Sequence, residues 1–436
     1  MSIPAAGQER QLTFSPMGHD LDNNDNFSPD GKWLCFDTRE TVEFGIHNSQ
    51  SVMMVNVDTG EEVTLLRAED SVIGKEGAAP GIGAVSFNHA RAEVAFIHGP
   101  PISEVGDRGP YDFPNRTGAR VSLREPEVRH WLDHRDVATD RDTLPGALRG
   151  GTHRHEYCWN GNRIGFTYND FLMQNYDRTV GYMEPHPSAP GEASHYAVLM
   201  VPTVPIGTAK PGEIEKAWGD SWVGRDGRMR AFIGRVRAED GEAYEQSLFV
   251  AEVPLSVDIT SADAGSATRY PTPPKGITIR RLTRDWADGI VRGSLDGTRI
   301  AYYGKAPDGT KQVFVIPVDG ATAPVMVTLL PAGVDAGLRW HPSGNSILCL
   351  SNNAVVSTCV VDGPNFGRSV FLTDEGVGAP RTKLALSWDG KTVAHNRPVP
   401  TKDANGAISK NYLGEDHVQI FVMPFPDSDN DGVADK

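Results

Sequence analysis

One short pattern recurs seven times along these 436 residues: an aromatic or small residue, a polar turn with Gly or Asn, then an apolar run. The copies lie at 27–36, 87–96, 159–167, 223–232, 294–302, 340–348 and 387–394. Asp30-Gly31, Asp226-Gly227, Asp296-Gly297 and Asp389-Gly390 supply the positive φ that tight turns demand, so each copy predicts a β-hairpin. Apolar runs at 51–57, 196–201, 247–251, 312–316 and 418–422 predict a third strand, and Leu-Thr at 281–283 and 371–373 marks a short fourth. Four antiparallel strands per unit, repeated radially, make the blade of a β-propeller. The expected fold is therefore all-β, a seven-bladed propeller over 1–426 with an acidic tail at 427–436. After residue 423 the last blade has no room for a fourth strand, whereas 10–14 carries that signature at the start. The N-terminal strand is expected to close the ring and remove two exposed sheet edges.

Spacing between copies is wider early in the chain, and the excess is expected as insertions at 98–152, 169–195 and 202–222. Loops of that length are commonly functional. These contain Trp, Tyr, His and Arg, so they are expected to wall a site.

A net charge of -15 argues against generic nucleic-acid or anionic-membrane binding, which rest on excess Lys and Arg. No apolar run is long enough to span a bilayer. The first seven residues have neither a basic nor an apolar leader region, which fits a cytoplasmic protein or one exported with its leader removed. The four cysteines lack paired spacing, and Cys35 and Cys349 fall in apolar runs where a buried thiol is expected. A monomer is expected.

The densest polar chemistry is Arg149-Gly150-Gly151-Thr152-His153-Arg154-His155. On a regular strand His153 and His155 would share one face, with Arg154 on the other. Around them in sequence stand Arg129, His130, His134, Arg135, Arg141, Arg178, His195 and Tyr196, cations and imidazoles that suit an anionic ligand. Three readings follow. His-x-His with His134, His195 or Cys158 has the ligand types of zinc or manganese. Neutral His and Tyr with Arg suit acid–base catalysis on an anion. The third reading is histidines packed at the propeller mouth without chemistry. Separately, Asp427, Asp429, Asp431, Gly432 and Asp435 have the spacing of the front of a calcium loop, although the chain stops before the bidentate position. Structural calcium or zinc are the ions such groups would take.

With its seven hairpins and Leu-Thr strands the chain resembles a TolB-like propeller. Gly150-Gly151-Thr152-His153-Arg154-His155, followed by Gly165-Phe166-Thr167-Tyr168-Asn169-Asp170, resembles the uronate-cleaving lyases on that scaffold, which are oligogalacturonate lyases and propeller-type ulvan lyases. The former bind manganese through His-x-His and a Gln three residues earlier, where this chain has Gly150. The latter use His, Tyr and Arg without a catalytic metal and are the better match. The resemblance thus implies β-elimination on an ulvan-like anionic polysaccharide, with no cofactor required for catalysis. On this reading Arg149 and Arg178 hold the carboxylate, and one of His134, His153 and His155 is the base. Tyr196 is the acid, and Arg154, His195, Tyr168 and Trp222 contact the sugar. The tail resembles linkers of secreted enzymes, implying a secreted or periplasmic protein. A non-catalytic propeller binding a protein or glycan, and a His-metal hydrolase, are the alternatives.

Overall fold

The computed structural model describes residues 9–41, 45–68 and 80–435; the leader reading of residues 1–7 lies outside them. Their strands form seven antiparallel sheets in a ring, plus a two-stranded hairpin of Thr401–Lys402 and Ile408–Ser409. Six of the sheets have four strands. Blade one has three, Trp33–Asp37, Ser51–Asn56 and Glu62–Arg67, completed on its inner side by bridges from Asp20 to Asp37 and from Phe27 to Leu34. The architecture is a seven-bladed β-propeller. Its ring closes as the sequence requires, because Arg10–Gln11 pairs with Val418–Pro424 in the seventh blade, Arg10 opposite Val422.

The hairpins form for a local reason. In blade one Ser28 Oγ donates to Asp30 Oδ1 at 2.6 Å, Asp30 Oδ1 accepts from Lys32 N, and Gly31 takes φ 69°. Ser28 Oγ then accepts from Trp33 N at 3.0 Å and starts the next strand. Blades five and seven repeat the device with Ser294 and Asp296, and with Ser387 and Asp389. Such side-chain turns need only residues within the segment.

Two expectations about the early blades change. The run at 196–201 falls on a fourth strand, His195–Leu199, because Thr179–Pro185 intervenes as the third. The segments expected as insertions hold blade strands: Thr117–Ser122 and Glu125–Trp131 in 98–152, Thr179–Pro185 in 169–195, and most of Ile214–Val223 in 202–222. The extra length lies instead at 99–116, 132–149, 253–277 and 399–417.

Apolar clusters fill the spaces between neighbouring blades, as where Cys35 and Val52 of blade one meet Val85, Phe96 and Val121 of blade two. All four cysteines are buried and free. One irregularity repeats in the innermost strands and positions everything that follows. In blades two, three, four, six and seven the pairing with the second strand shifts, so that two residues oppose one. The first residue of each bulge is left-handed: Ala84 (φ 53°), Arg154 (56°), Gly219 (64°), Gly337 (77°) and Lys383 (53°). A bulge of this kind breaks side-chain alternation and re-aims the residues it contains.

Candidate functional site

His153 and His155 therefore do not share a face. Arg154 between them is left-handed, and His155 falls in the second bulge position, which the equivalent strands give to buried Val85, Asp220, Leu338 and Leu384. His155 is fully buried, its Nε2 3.0 Å from Thr152 Oγ1, and burial followed by the Arg116 charge pushes its pKa down to about 3. Thr152 Oγ1 in turn donates to Asp133 Oδ1 at 3.3 Å. Burial raises the Asp133 carboxyl to about 7. The His-x-His metal arrangement is not assembled. Among the described residues, the group of His, Cys, Asp and Glu side chains close enough to share an ion is Asp427, Asp429 and Asp431.

His153 and Arg154 instead line a cavity of about 460 Å³ at the mouth of the propeller. Arg116, from the start of blade two's third strand, and Arg178, just before blade three's third strand, join them. Tyr111 and Phe113 cover that side, Phe113 lying under both guanidiniums at 5.0 and 5.4 Å. Arg116 is 1% exposed and donates to Tyr111 Oη at 2.9 Å, but its Nε and Nη2 have no partner. Arg178 meets Asn169 Oδ1 at 3.1 Å. Burial and then the Arg116 charge lower its pKa to about 10. None of Arg116, Arg154 and Arg178 has an ion pair among the described residues. Unpaired cations in a concave, half-dry site are an electrostatic trap for an anion.

The imidazole among them is neutral. Burial, then Arg116, Arg178 and Arg154, drive the pKa of His153 well below its usual value. Its Nδ1 lies 3.3 Å from Thr167 Oγ1, and Nε2 has no hydrogen bond among the described residues. The opposite wall is electrically matched. Arg39 is fully buried and bidentate on Asp37 at 2.8 and 2.7 Å, with Nη1 on Asp22 at 2.9 Å. Asp22 also receives Lys383 Nζ at 2.7 Å. Burial alone would raise the Asp22 carboxyl, but Lys383, Arg39 and Arg154 hold it far below the carboxylate range.

The other expected site residues lie elsewhere. Arg149 is wholly buried, ion-paired with Asp170 at 3.0 Å and bonded to the carbonyls of Ser266 and Arg269, so it presents nothing to the cavity. Tyr168 is buried against the same Asp170, at 2.9 Å. His195 and Tyr196 sit on the outermost strand of blade three. The first is 2.8 Å from Ser194 Oγ, with burial lowering its pKa to about 4; the second packs edge-on to His186 at 5.4 Å. His134 is half-buried near that strand, close against Gly191. Trp222 donates to the Glu156 carbonyl at 3.0 Å and lines a small cavity of about 100 Å³ below the mouth. His89, Trp159 and Trp388 also line it, with ring centroids 4.5 to 4.7 Å apart.

Asp427, Asp429 and Asp431 each place one oxygen within 4.8 Å of the others, and all three also accept from the loop's own backbone N–H groups. Asp435 is drawn back to Ser428 N at 2.7 Å. The tail docks on blade six, where Ala434 is 1% exposed and Ser346 Oγ donates to the Gly432 carbonyl.

Of the residues in the cavity, sequence reasoning picked out His153, Arg154 and Arg178. It missed Tyr111, Phe113, Arg116, Asp22, Arg39 and Lys383. Tyr111-Asp112-Phe113-Pro114-Asn115-Arg116, aromatic-rich and ending in a cation, was a readable signal for the first three. Nothing local marks Lys383.

The fold and this cationic mouth define a seven-bladed propeller with an arginine-lined cavity. More particularly, the chain belongs to the family of the Escherichia coli (strain K12) protein named "Uncharacterized protein YidR". It is 31% identical to that protein over 433 residues, covering 90% of this chain and 97% of the relative. Residues 81–191, which hold Arg116, His153, Arg154 and Arg178, match the family described as "Protein of unknown function (DUF3748)". Similar solved structures include a putative TolB from Agrobacterium tumefaciens, 14% identical over 87% of this chain and 99% of that one, with a TM-score of 0.39. Another is the oligogalacturonate lyase of Vibrio parahaemolyticus, 10% identical over 96% and 94%, with a TM-score of 0.38. Neither bears on the chemistry of the cavity. Among the described residues no helix is long and apolar enough to cross a membrane.

Proposed function

We propose that the mouth cavity binds the carboxylate of a uronic acid in an anionic polysaccharide and cleaves the chain by β-elimination. One observation carries this: a neutral imidazole shares a cavity with three arginines that have no carboxylate of their own. Elimination needs three things at once. The carboxylate must be neutralised so that the C5 proton becomes acidic, that proton must be taken, and the leaving O4 must receive one. Arg116 and Arg178 meet the carboxylate, and His153 Nε2 removes the C5 proton. The C5–H electron pair becomes the C4=C5 double bond as the C4–O4 bond breaks. Tyr111, whose oxygen accepts from Arg116, protonates O4 on this reading, the role first expected of Tyr196. An exported location would suit such a substrate.

The full chain is incubated with polygalacturonate, ulvan, alginate and heparin while the ultraviolet absorbance of an unsaturated uronate is followed. A rise is expected with at least one polymer, and His153→Ala should slow it by about 10²-fold or more, the usual worth of a general base. No rise with any of them, for a folded protein, sinks the lyase reading and leaves a non-catalytic anion receptor.

A further inference from the structure

The mouth continues beyond Arg154. A second cavity of about 390 Å³ lies under blades five to seven, and Arg154, Asp22 and Lys383 line both. Two of its cations are ion-paired. Lys383 meets Asp22 and Arg381 is bidentate on Glu9 at 2.6 and 2.8 Å, while Lys311 Nζ donates to the Asp335 carbonyl at 2.7 Å.

Three guanidiniums have no ion pair among the described residues: Arg154, Arg292 and Arg339. Arg292 is 6% exposed and spends Nε on the Leu338 carbonyl at 3.1 Å and Nη1 on the Val291 carbonyl at 3.0 Å, and Nη2 has no hydrogen bond among the described residues. Arg339 donates to the carbonyls of Leu338 and Asn23 at 2.8 and 3.1 Å, and its Nε is buried without a partner. Burial, then the Arg154 charge, lowers the pKa of Arg339 to about 10, and burial, then Arg339 and Arg154, drives that of Arg292 well below its usual value. Nearby carboxylates act on them only at a distance, Asp22 on Arg154 and Glu156 on Arg292 and Arg339. Glu156 is ion-paired with Arg230 at 2.9 Å, and Asp288 Oδ1 accepts from Gly289 N. Carbonyl contacts hold these side chains in place but cancel no charge, and buried charge without a counterion is costly.

We propose that this half of the mouth is a second anion subsite and that Arg154 spans the two. The ligand is then a polyanion with at least two acidic groups, one at Arg116 and Arg178, the other at Arg292 and Arg339. This rests on the reading of the first cavity as an anion site, but not on turnover. A single acidic sugar would fill only half of the positive mouth, whereas a run of acidic sugars would fill both halves.

Thermal unfolding of the full chain, titrated with sodium sulfate against sodium chloride at equal ionic strength, tests the subsite. Arg116→Gln and Arg339→Gln should each lose part of the sulfate-specific rise in Tm, and Arg154→Gly most of it. An Arg339→Gln protein that keeps the wild-type sulfate response overturns the proposal. If that variant does not fold, an unchanged response in Arg154→Gly does the same, since the Arg154 side chain has no hydrogen bond among the described residues. Calorimetry with galacturonate and trigalacturonate then types the ligand. The trimer should bind about tenfold more tightly than the monomer, as one further charge-assisted contact allows, and Arg339→Gln should erase that advantage alone. Equal affinities for monomer and trimer overturn the bridging. A sulfate response that needs Arg339, with no uronate bound, upholds the subsite and sinks the uronate reading instead.

Discussion

Arg154 occupies a backbone conformation that costs a residue with a side chain about 1 to 2 kcal/mol, at a position where two other blades place Gly219 and Gly337. Strain of this sort persists where the surrounding structure imposes it and function uses it. Arg154→Gly should therefore raise stability without added anion by about 0.5 to 1 kcal/mol, the strain released less the added chain entropy of glycine. Urea unfolding checks this, and a destabilised variant would show that Arg154 serves the fold rather than the ligand. His153 makes a second prediction at this scale. Burial and its arginines depress its pKa, so the base stays deprotonated as pH falls through the normal histidine range, and protonation removes activity only below it. The acid limb of kcat/KM should thus lie clearly under about pH 6.5. A bound carboxylate offsets the arginines, so the acid limb of kcat should sit higher than that of kcat/KM. An acid limb of kcat/KM at or above the ordinary histidine value would exclude His153 as the base.

Single strands decide how the ring is locked. The closing strand Arg10–Gln11 contributes few backbone bonds, and Glu9 beside it supplies the clasp. Its carboxylate meets Arg381 at 2.6 Å, His395 at 2.7 Å and Arg397 at 3.0 Å, all on blade seven. Burial would raise its pKa, yet Arg381 and His395 hold it far below the usual range. A depressed carboxyl contributes stability that is present above the unfolded pKa and lost as pH falls. Glu9→Gln should cost about 3 kcal/mol in urea unfolding at neutral pH, with the deficit shrinking below about pH 4. A change within about 0.5 kcal/mol would mean that backbone pairing alone closes the ring. Hairpins were legible in the sequence because Ser28, Asp30 and Gly31, and their counterparts, form the turn with no outside help. Strand rank was not. The run at 196–201 looks like a third strand, and only its pairing with Thr179–Pro185 makes it a fourth.

Over the whole molecule a net charge of -15 coexists with a mouth lined by unpaired guanidiniums. The overall charge disfavours polyanions in general, while the concave mouth concentrates positive potential along one approach. The seven hairpins, the closing strand and the buried thiols were determined by the sequence alone, because period-two patterning and turn chemistry act over a few residues. His153, Arg154 and Arg178 could be singled out as candidates in the same way. Which of the two neighbouring histidines faces the cavity was decided only by a bulge that the strand alternation does not reveal. Tertiary structure also took Arg149 into a buried pair with Asp170. It brought Arg116, Arg292, Arg339 and Lys383 from four different blades to one axis. Arg292, Arg339 and Lys383 gather there because the first strand of each blade lines the centre of the ring, and Arg116 reaches it from the start of a third strand; closing a ring is a property of the whole chain.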